Sequence, residues 1–80
     1  MTVYVYIWKT AENAEGVDYA FSPEDGVQGL LRIELATGQM HLLQPCPGDD
    51  NKTFYQCACK AVWNAWAVKK LPQSTCYIYG

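Results

Sequence analysis

The chain has 80 residues, half of them hydrophobic and 14% aromatic, and a formal net charge of −2. This composition argues against intrinsic disorder and is typical of one small folded domain, here spanning residues 1–80. The mildly acidic balance argues against broad electrostatic binding to nucleic acid.

No targeting segment is recognisable in the sequence. No apolar run approaches the roughly 18 residues of a membrane-spanning helix. Met1 and Thr2 lead directly into a strand-like stretch, without the basic and apolar regions of a signal peptide. We therefore expect a cytoplasmic protein with reduced cysteines and no membrane contact.

Charge is distributed unevenly along the chain. Eight acids and only two basic residues, Lys9 and Arg32, precede Asn51, and four lysines without any acid follow it. Such a division bears on how partners are attracted and oriented rather than on the fold. A solvated surface is the first explanation for the acids between residues 12 and 25, and a surface that steers a basic partner is the alternative.

The first strand is predicted over residues 2–9, where β-branched and aromatic side chains alternate. Its aliphatic residues form the natural core face: Val3, Val5 and Ile7. Its aromatic residues form the opposite row: Tyr4, Tyr6 and Trp8. We expect this row to share its face with Tyr77 and Tyr79, where the rings are either covered by a second layer or presented to a partner.

The next segment is the hardest to assign. Residues 10–16 are polar and turn-like, and residues 17–22 then alternate as a short strand does. Residues 22–25 also fit a helix start, with a serine cap followed by proline and two acids.

A hairpin follows in the middle of the chain. Residues 30–36 and 39–44 alternate with the period of strands, and Thr37 and Gly38 between them suit a tight reversal. We expect one dry and one wet face.

A long helix is predicted from about residue 50 to residue 70. Asp49, Asp50 and Thr53 compete as its N-terminal cap. Its apolar arc holds Phe54, Tyr55, Ala58, Ala61, Val62, Ala65 and Trp66. Residues 75–79 resemble the first strand and are expected to join the same sheet. The predicted fold is therefore α+β, with a two-layer arrangement of a mostly antiparallel sheet of four to five strands and one long helix on one face.

Four cysteines raise the question of metal binding or thiol chemistry. Cys57 and Cys59 point about 200° apart around the predicted helix, so they cannot jointly bind one zinc ion. Cys46 precedes the helix N-terminus, a position that can activate a thiol, and His41 lies five residues earlier. Nothing in the spacing makes the two converge, and Asp49 opposes thiolate formation. We predict no catalytic residue, metal site or cofactor.

Trp63 is the most conspicuous residue of the predicted helix. It lies away from the apolar arc, with Cys59 and Trp66 beside it. An exposed tryptophan on a helix is typical of an interface anchor. The alternative is that residues 10–29 fold over this side and bury it.

The leading hypothesis is a small non-catalytic protein-binding module, such as an inhibitor, adaptor or immunity-type protein, acting on a protein partner or as a homodimer. The predicted contact residues are Trp63, Trp66, Tyr4, Tyr6 and Trp8. The second hypothesis is a single-stranded nucleic-acid binder that uses the aromatic sheet face and the helix lysines. The third is a thiol enzyme based on Cys46 and His41.

Overall fold

The structure is a computed structural model that describes residues 3–23, 27–49 and 52–79. Within these ranges the chain forms five strands and one helix. In chain order they are β1 (Val3–Glu12), β2 (Gly16–Pro23), β3 (Gly29–Glu34), β4 (Met40–Gln44), α1 (Thr53–Ala67) and β5 (Ser74–Tyr79). The predicted α+β fold is confirmed: the strands form one antiparallel sheet, and the helix packs on one face of it.

The strand order is β4-β3-β2-β1-β5. The first four strands form a meander in which each pairs with the next. The helix then carries the chain from the β4 edge to the opposite edge, where β5 pairs antiparallel with β1. The last strand therefore joins the same sheet, as the sequence predicted.

The core lies between the sheet and α1. Alternate residues of the three central strands are fully buried on the helix side: Val5, Ile7, Val17, Tyr19, Phe21, Leu31 and Ile33. The helix contributes Cys57, Ala58 and Val62 to the same cluster. Small Ala58 lets the helix approach the sheet closely. The hydroxyl of Tyr19 donates a hydrogen bond of 2.7 Å to the carbonyl of Pro72, which ties the segment before β5 to the core.

The helix is shorter than predicted at both ends. It begins at Thr53 because Lys52 takes a left-handed conformation, with φ of 56°. Thr53 is not the cap: the carboxylate of Asp49 accepts the N–H groups of the second and third helical residues, both at 3.1 Å. The prediction for Asp50 falls outside the described residues. At the other end the helix stops at Ala67, and Lys69 is left-handed with φ of 58°.

Two predictions before the hairpin were wrong. Residues 10–12, predicted as part of a turn, continue β1 through a bulge between Lys9 and Ala11. The turn itself is short, because the Asn13 side chain accepts the N–H groups of Glu15 and Gly16 at 2.9 Å. The helix start predicted over residues 22–25 does not form at its first two residues, which extend β2. The other two fall outside the described residues.

Candidate binding surface

The face of the sheet opposite α1, here called the open face, is covered by none of the described elements. Strand register assigns most of its members: Tyr4, Tyr6, Trp8, Asp18, Ala20, Ser22, Leu30, Arg32, Glu34, His41, Gln44, Ser74, Cys76 and Ile78. Leu43 is left unpaired by a register shift in β4, and it is added because its neighbour Leu42 packs against the core on the helix side. A mixture of large apolar and paired charged side chains on one exposed sheet face is the arrangement expected of a contact surface.

The part of the open face formed by β1 and β5, here called the aromatic half, is apolar and exposed. Apart from Ser74 at the start of β5, its members are Tyr4, Tyr6, Trp8, Cys76 and Ile78. Tyr4 is 40% exposed and Tyr6 41%, while Ile78 on the edge strand is 63% exposed. Large side chains at these fractions present apolar area to solvent while remaining anchored by the sheet.

Trp8 is half-buried and occupies the middle of the open face. It pairs across the strands with Ala20, which in turn pairs with Leu30. The Ala20 methyl is fully buried although none of the described elements forms a second layer above it. Because the small Ala20 lies between the larger Trp8 and Leu30, the three side chains form one continuous apolar row across neighbouring strands.

One end of the open face is polar. Asp18 accepts a hydrogen bond of 2.8 Å from Arg32, and Arg32 also reaches the Asn13 side chain at 3.1 Å. His41 Nε2 lies 3.3 Å from a carboxylate oxygen of Glu34 but makes no hydrogen bond with it. The charges at this end are therefore arranged in pairs of opposite sign, with the second pair formed when His41 is protonated.

The expected position of the last strand's tyrosines was wrong for Tyr77. It pairs with Val5, and it packs against the core on the helix side. Tyr77 therefore points to the face of the sheet opposite to the one predicted. Cys76 and Ile78, rather than Tyr77, lie on the open face beside Tyr6 and Tyr4. Tyr79 pairs with Val3 in the same register.

The two tryptophans of the helix have different surroundings. Trp63 is 49% exposed, and its ring lies 6.2 Å from that of Trp66 at an angle of 40°. Trp66 is half-buried against the core, and its indole N–H donates to the carbonyl of Leu35 at 2.9 Å. The segment considered as a cover for Trp63 instead contributes the central strand β2, and it leaves this side of the helix open.

The five predicted contact residues thus lie on two layers. Tyr4, Tyr6 and Trp8 are on the open face, whereas Trp63 and Trp66 are on the helix. The structure therefore separates the predicted set into two surfaces.

Four of the lysines lie on or beside the helix rather than in the aromatic half. Lys52 and Lys60 are exposed at and within α1, and Lys69 and Lys70 follow its end. Lys9 belongs by register to the helix side and lies 3.3 Å from Glu12. The lysines and the rings of the aromatic half are therefore on opposite layers, and Arg32, the basic residue that shares the open face with those rings, is paired with Asp18.

Cys46 and His41 are not brought together. Cys46 is buried in the core cluster, where its thiol donates to the carbonyl of Val27 at 2.9 Å. Burial raises the pKa of the Cys46 thiol, and the nearby Asp49 carboxylate adds to the effect. His41 lies on the other side of the sheet beside Glu34. The geometry needed for a thiol–imidazole dyad is not formed.

The two cysteines of the helix point in different directions, as the spacing predicted. Cys57 is buried in the core, and Cys59 is half-buried beside the hydroxyl of Tyr55. Burial raises the pKa of both thiols. Among the residues that the structure describes, no group of three or more side chains is placed to hold a metal ion.

A cleft of about 620 Å³ lies beside the C-terminal end of the helix. Leu35, Trp66 and Leu71 supply apolar lining, and Glu12 and Lys69 supply charged groups. Its volume is that of a small-molecule site. Its lining residues include no cysteine, serine or histidine.

Comparison of the chain with protein-family models, curated proteins and solved structures finds no match. In the described part of the chain, no helix has the length and apolar content needed to cross a membrane.

Sequence reasoning missed three exposed members of the open face: Leu43, Cys76 and Ile78. The alternation of side chains in the last strand predicts that Ser74, Cys76 and Ile78 share one side, since they are spaced two residues apart. Which side that row takes depends on the pairing with β1, and the sequence does not show that register.

Proposed function

We propose that this protein is a non-catalytic protein-binding module that binds its partner through the open face of the sheet. The observation that carries the proposal is the aromatic half, where Tyr4, Tyr6 and Ile78 are exposed on one face of the five-stranded sheet. Aromatic residues are enriched at protein interfaces, because they supply large contact area at a low cost in conformational entropy.

Of the five predicted contact residues, Tyr4, Tyr6 and Trp8 are assigned to this surface. Trp66 is assigned to folding, since its indole N–H is already bonded to Leu35 within the chain. Trp63 is exposed by itself on the outer side of the helix, and a single exposed apolar residue is ordinary for a soluble protein. The interface we propose therefore excludes the helix.

Binding of single-stranded nucleic acid receives less support. It requires free cations close to the rings, because neutralised phosphates supply most of the affinity. Arg32 is the one basic residue besides His41 assigned to the open face, and it is paired with Asp18 at 2.8 Å. A partner without strong negative charge is the better match for the aromatic half.

The compartment we propose is the cytoplasm, where thiols stay reduced. The supporting observation is that all four cysteines are free: Cys46, Cys57, Cys59 and Cys76.

The test compares two matched substitutions on opposite layers. Ile78 on the open face and Val68 after the helix are both 63% exposed, so lysine at either position has a similar cost for folding. Immobilised wild type, Ile78→Lys, Val68→Lys and Trp63→Ala would be exposed to extract of the source cell. We expect the retained proteins to be lost only with Ile78→Lys. Retention by Ile78→Lys together with loss in Trp63→Ala would move the interface to the helix and overturn the assignment.

A further inference from the structure

We propose that the cleft beside the C-terminal end of the helix is a binding site for a small aromatic carboxylate, with the ring on the apolar lining and the carboxylate on Lys69. The inference goes beyond the proposed function, because the lining of the cleft shares no residue with the open face. Its support comes from the preformed apolar lining, the charge of Lys69 and the capping of the helix end.

Four parts of the chain meet at the cleft: the end of β1, the segment after β3, the end of α1 and the segment before β5. Its volume of about 620 Å³ is large enough for a ligand of one or two rings. Ligand pockets are concave, mostly apolar and largely formed before the ligand binds. The contacts around the cleft can be compared with each of these properties.

The aromatic wall of the cleft is held in place by the fold itself. The indole N–H of Trp66 donates to the Leu35 carbonyl at 2.9 Å. The six-membered ring of the same indole lies against Gly38, where a Cβ would be only 2.8 Å from Cζ3. The indole is therefore fixed at both ends, and a ligand ring that packs on it does not have to order a flexible side chain.

The two leucines of the lining are also fixed by contacts within the chain. The backbone N–H of Leu35 donates to the Glu15 carbonyl at 3.0 Å. Leu71 packs against the core and precedes Pro72, whose carbonyl accepts a hydrogen bond of 2.7 Å from the Tyr19 hydroxyl. The apolar lining is thus preformed on the strand side and on the helix side of the cleft.

The two charged residues of the lining differ in their partners. The Glu12 carboxylate lies 3.3 Å from the ammonium group of Lys9, so its charge is offset within the chain. Lys69 is exposed and takes part in none of the ion pairs formed by the described residues. The lining therefore offers one cation without a counter-charge, and a carboxylate is its matching ligand group.

The end of the helix does not oppose an anion in this cleft. The carbonyl end of a helix carries partial negative charge, which disfavours anions beside it. Here the backbone N–H groups of Lys69 and Lys70 donate to the carbonyls of Trp66 and Ala65, both at 2.9 Å. An anion at this end therefore meets two lysines and carbonyls that are already hydrogen-bonded.

A neighbouring hollow of about 310 Å³ lacks both of these properties. Among the described residues that line it, Ala14 and Ala36 are the apolar ones, and Arg32 is the cation. Arg32 is already paired with Asp18 at 2.8 Å. The hollow offers neither a large apolar wall nor a cation without a counter-charge, so we expect an aromatic carboxylate to select the cleft.

The test is a titration of the isotope-labelled protein with naphthoate, followed by the N–H resonances in nuclear magnetic resonance spectra. We expect saturable shifts at Ala36, Leu71 and the indole of Trp66, with a Kd of about 1 mM or tighter for a ligand of this size. Naphthamide has the same shape without the charge, and it should bind about threefold more weakly.

Lys69→Asn removes the charge without straining the backbone. Lys69 is left-handed, with φ of 58°, a conformation that asparagine adopts more readily than lysine. Lys52→Asn is the matched control, because Lys52 is also exposed, has φ of 56° and lies at the other end of the helix. Lys69→Asn should weaken naphthoate binding about threefold and leave naphthamide binding unchanged. Lys52→Asn should change neither.

Ala67→Leu tests the apolar part of the site. Ala67 lines the cleft and is exposed at the end of the helix, and leucine is a good helix former, so the variant should fold. The larger side chain fills part of the cleft, and the shifts at Leu71 should be lost with both probes.

Four results would overturn the inference. The first is the lack of saturable shifts at the cleft in the wild type, and the second is their persistence in Ala67→Leu. The third is equal affinity for naphthoate in the wild type and Lys69→Asn. The fourth is tighter binding of the cationic probe naphthylmethylamine, which would make Glu12 the charged contact. Capture of a protein partner by the open face is a separate measurement, so each proposal can fail without the other.

Discussion

Trp66 and Leu35 join the helix to the β3–β4 turn, since the indole N–H of the tryptophan donates to the leucine carbonyl at 2.9 Å. The contact spans 31 residues of sequence. It holds Trp66, one of the predicted contact residues, half-buried against the core. The neighbouring Trp63, three residues earlier, is 49% exposed and provides a natural control.

Replacing Trp66 by phenylalanine should destabilise the fold by about 1–2 kcal/mol, because the part-buried Leu35 carbonyl loses its donor. The same change at exposed Trp63 should cost less than about 0.5 kcal/mol. Urea unfolding curves of the two variants measure the difference in their free energies of unfolding, provided that this free energy falls with urea concentration at the same slope in both. Equal losses would contradict the assignment of Trp66 to folding.

Gly38 should be the less replaceable of two glycines with similar backbone angles. Its φ is +77°, and a Cβ built there would lie 2.8 Å from Cζ3 of Trp66. Gly48 has φ of +86° but nothing within 4 Å of the corresponding position. Alanine at Gly48 should cost only the left-handed strain of about 1–2 kcal/mol, and alanine at Gly38 should cost about 1–3 kcal/mol more for overpacking. Thermal unfolding of both variants checks this, and equal midpoints would show that the Trp66 ring moves aside freely.

Two tyrosines, the buried Tyr19 and the half-buried Tyr55, should weaken the fold in alkali. Burial raises the pKa of Tyr19 to about 12, with the Glu12 carboxylate adding to it, and burial also raises the pKa of Tyr55 to about 12. In the folded protein each phenol therefore has a pKa above its unfolded value, which means that folding favours the neutral phenol. The stability that this preference contributes is complete below about pH 10 and is lost as the pH rises toward 12.

The change that isolates one phenol is Tyr19→Phe. At pH 7 it should cost about 1 kcal/mol, through the lost hydrogen bond to Pro72. Between pH 10 and 12 the variant should lose less stability than the wild type, while Tyr55 still titrates. Urea midpoints measured across that range test the prediction, and identical pH slopes for the two proteins would refute it.

Asp49 should stabilise the helix more than Thr53, which the sequence also offered as a cap. Both carboxylate oxygens of Asp49 accept hydrogen bonds from backbone N–H groups of the first helical turn. The side chain of Lys52, which occupies the N-cap position, makes no capping hydrogen bond. Asp49→Ala should therefore cost about 1–2 kcal/mol and Thr53→Ala less than about 0.5 kcal/mol. Unfolding curves that reversed this order would place the cap at Thr53.

The strands, the helix and the α+β class were predictable because they depend on local patterns. Alternation in residues 17–22 predicted a short strand, and these residues lie within β2. The cap at Asp49 was one of three local candidates, and choosing it requires the left-handed turn at Lys52. Such a turn is a property of the folded backbone, which composition does not reveal.

The residues of the proposed contact surface were only partly predictable from the sequence. The aromatic row of β1 followed from alternation, but its neighbours depend on the register in which Tyr77 pairs with Val5. The exposure of Trp63 depends on where β2 lies, and that is a tertiary property. Sequence reasoning therefore identified candidate rings but not which of them share one surface.

The most direct test of the account is the alkylation rate of Cys76, which is exposed on the open face. The rate would be measured by peptide mass spectrometry in dilute purified protein and again in concentrated extract of the source cell. The thiol introduced by Val68→Cys, on the opposite layer, is the control for non-specific protection. The account predicts several-fold slowing at Cys76 and none at the control. Unchanged labelling of Cys76, or equal slowing at both sites, would contradict the claim that the open face is where this protein binds.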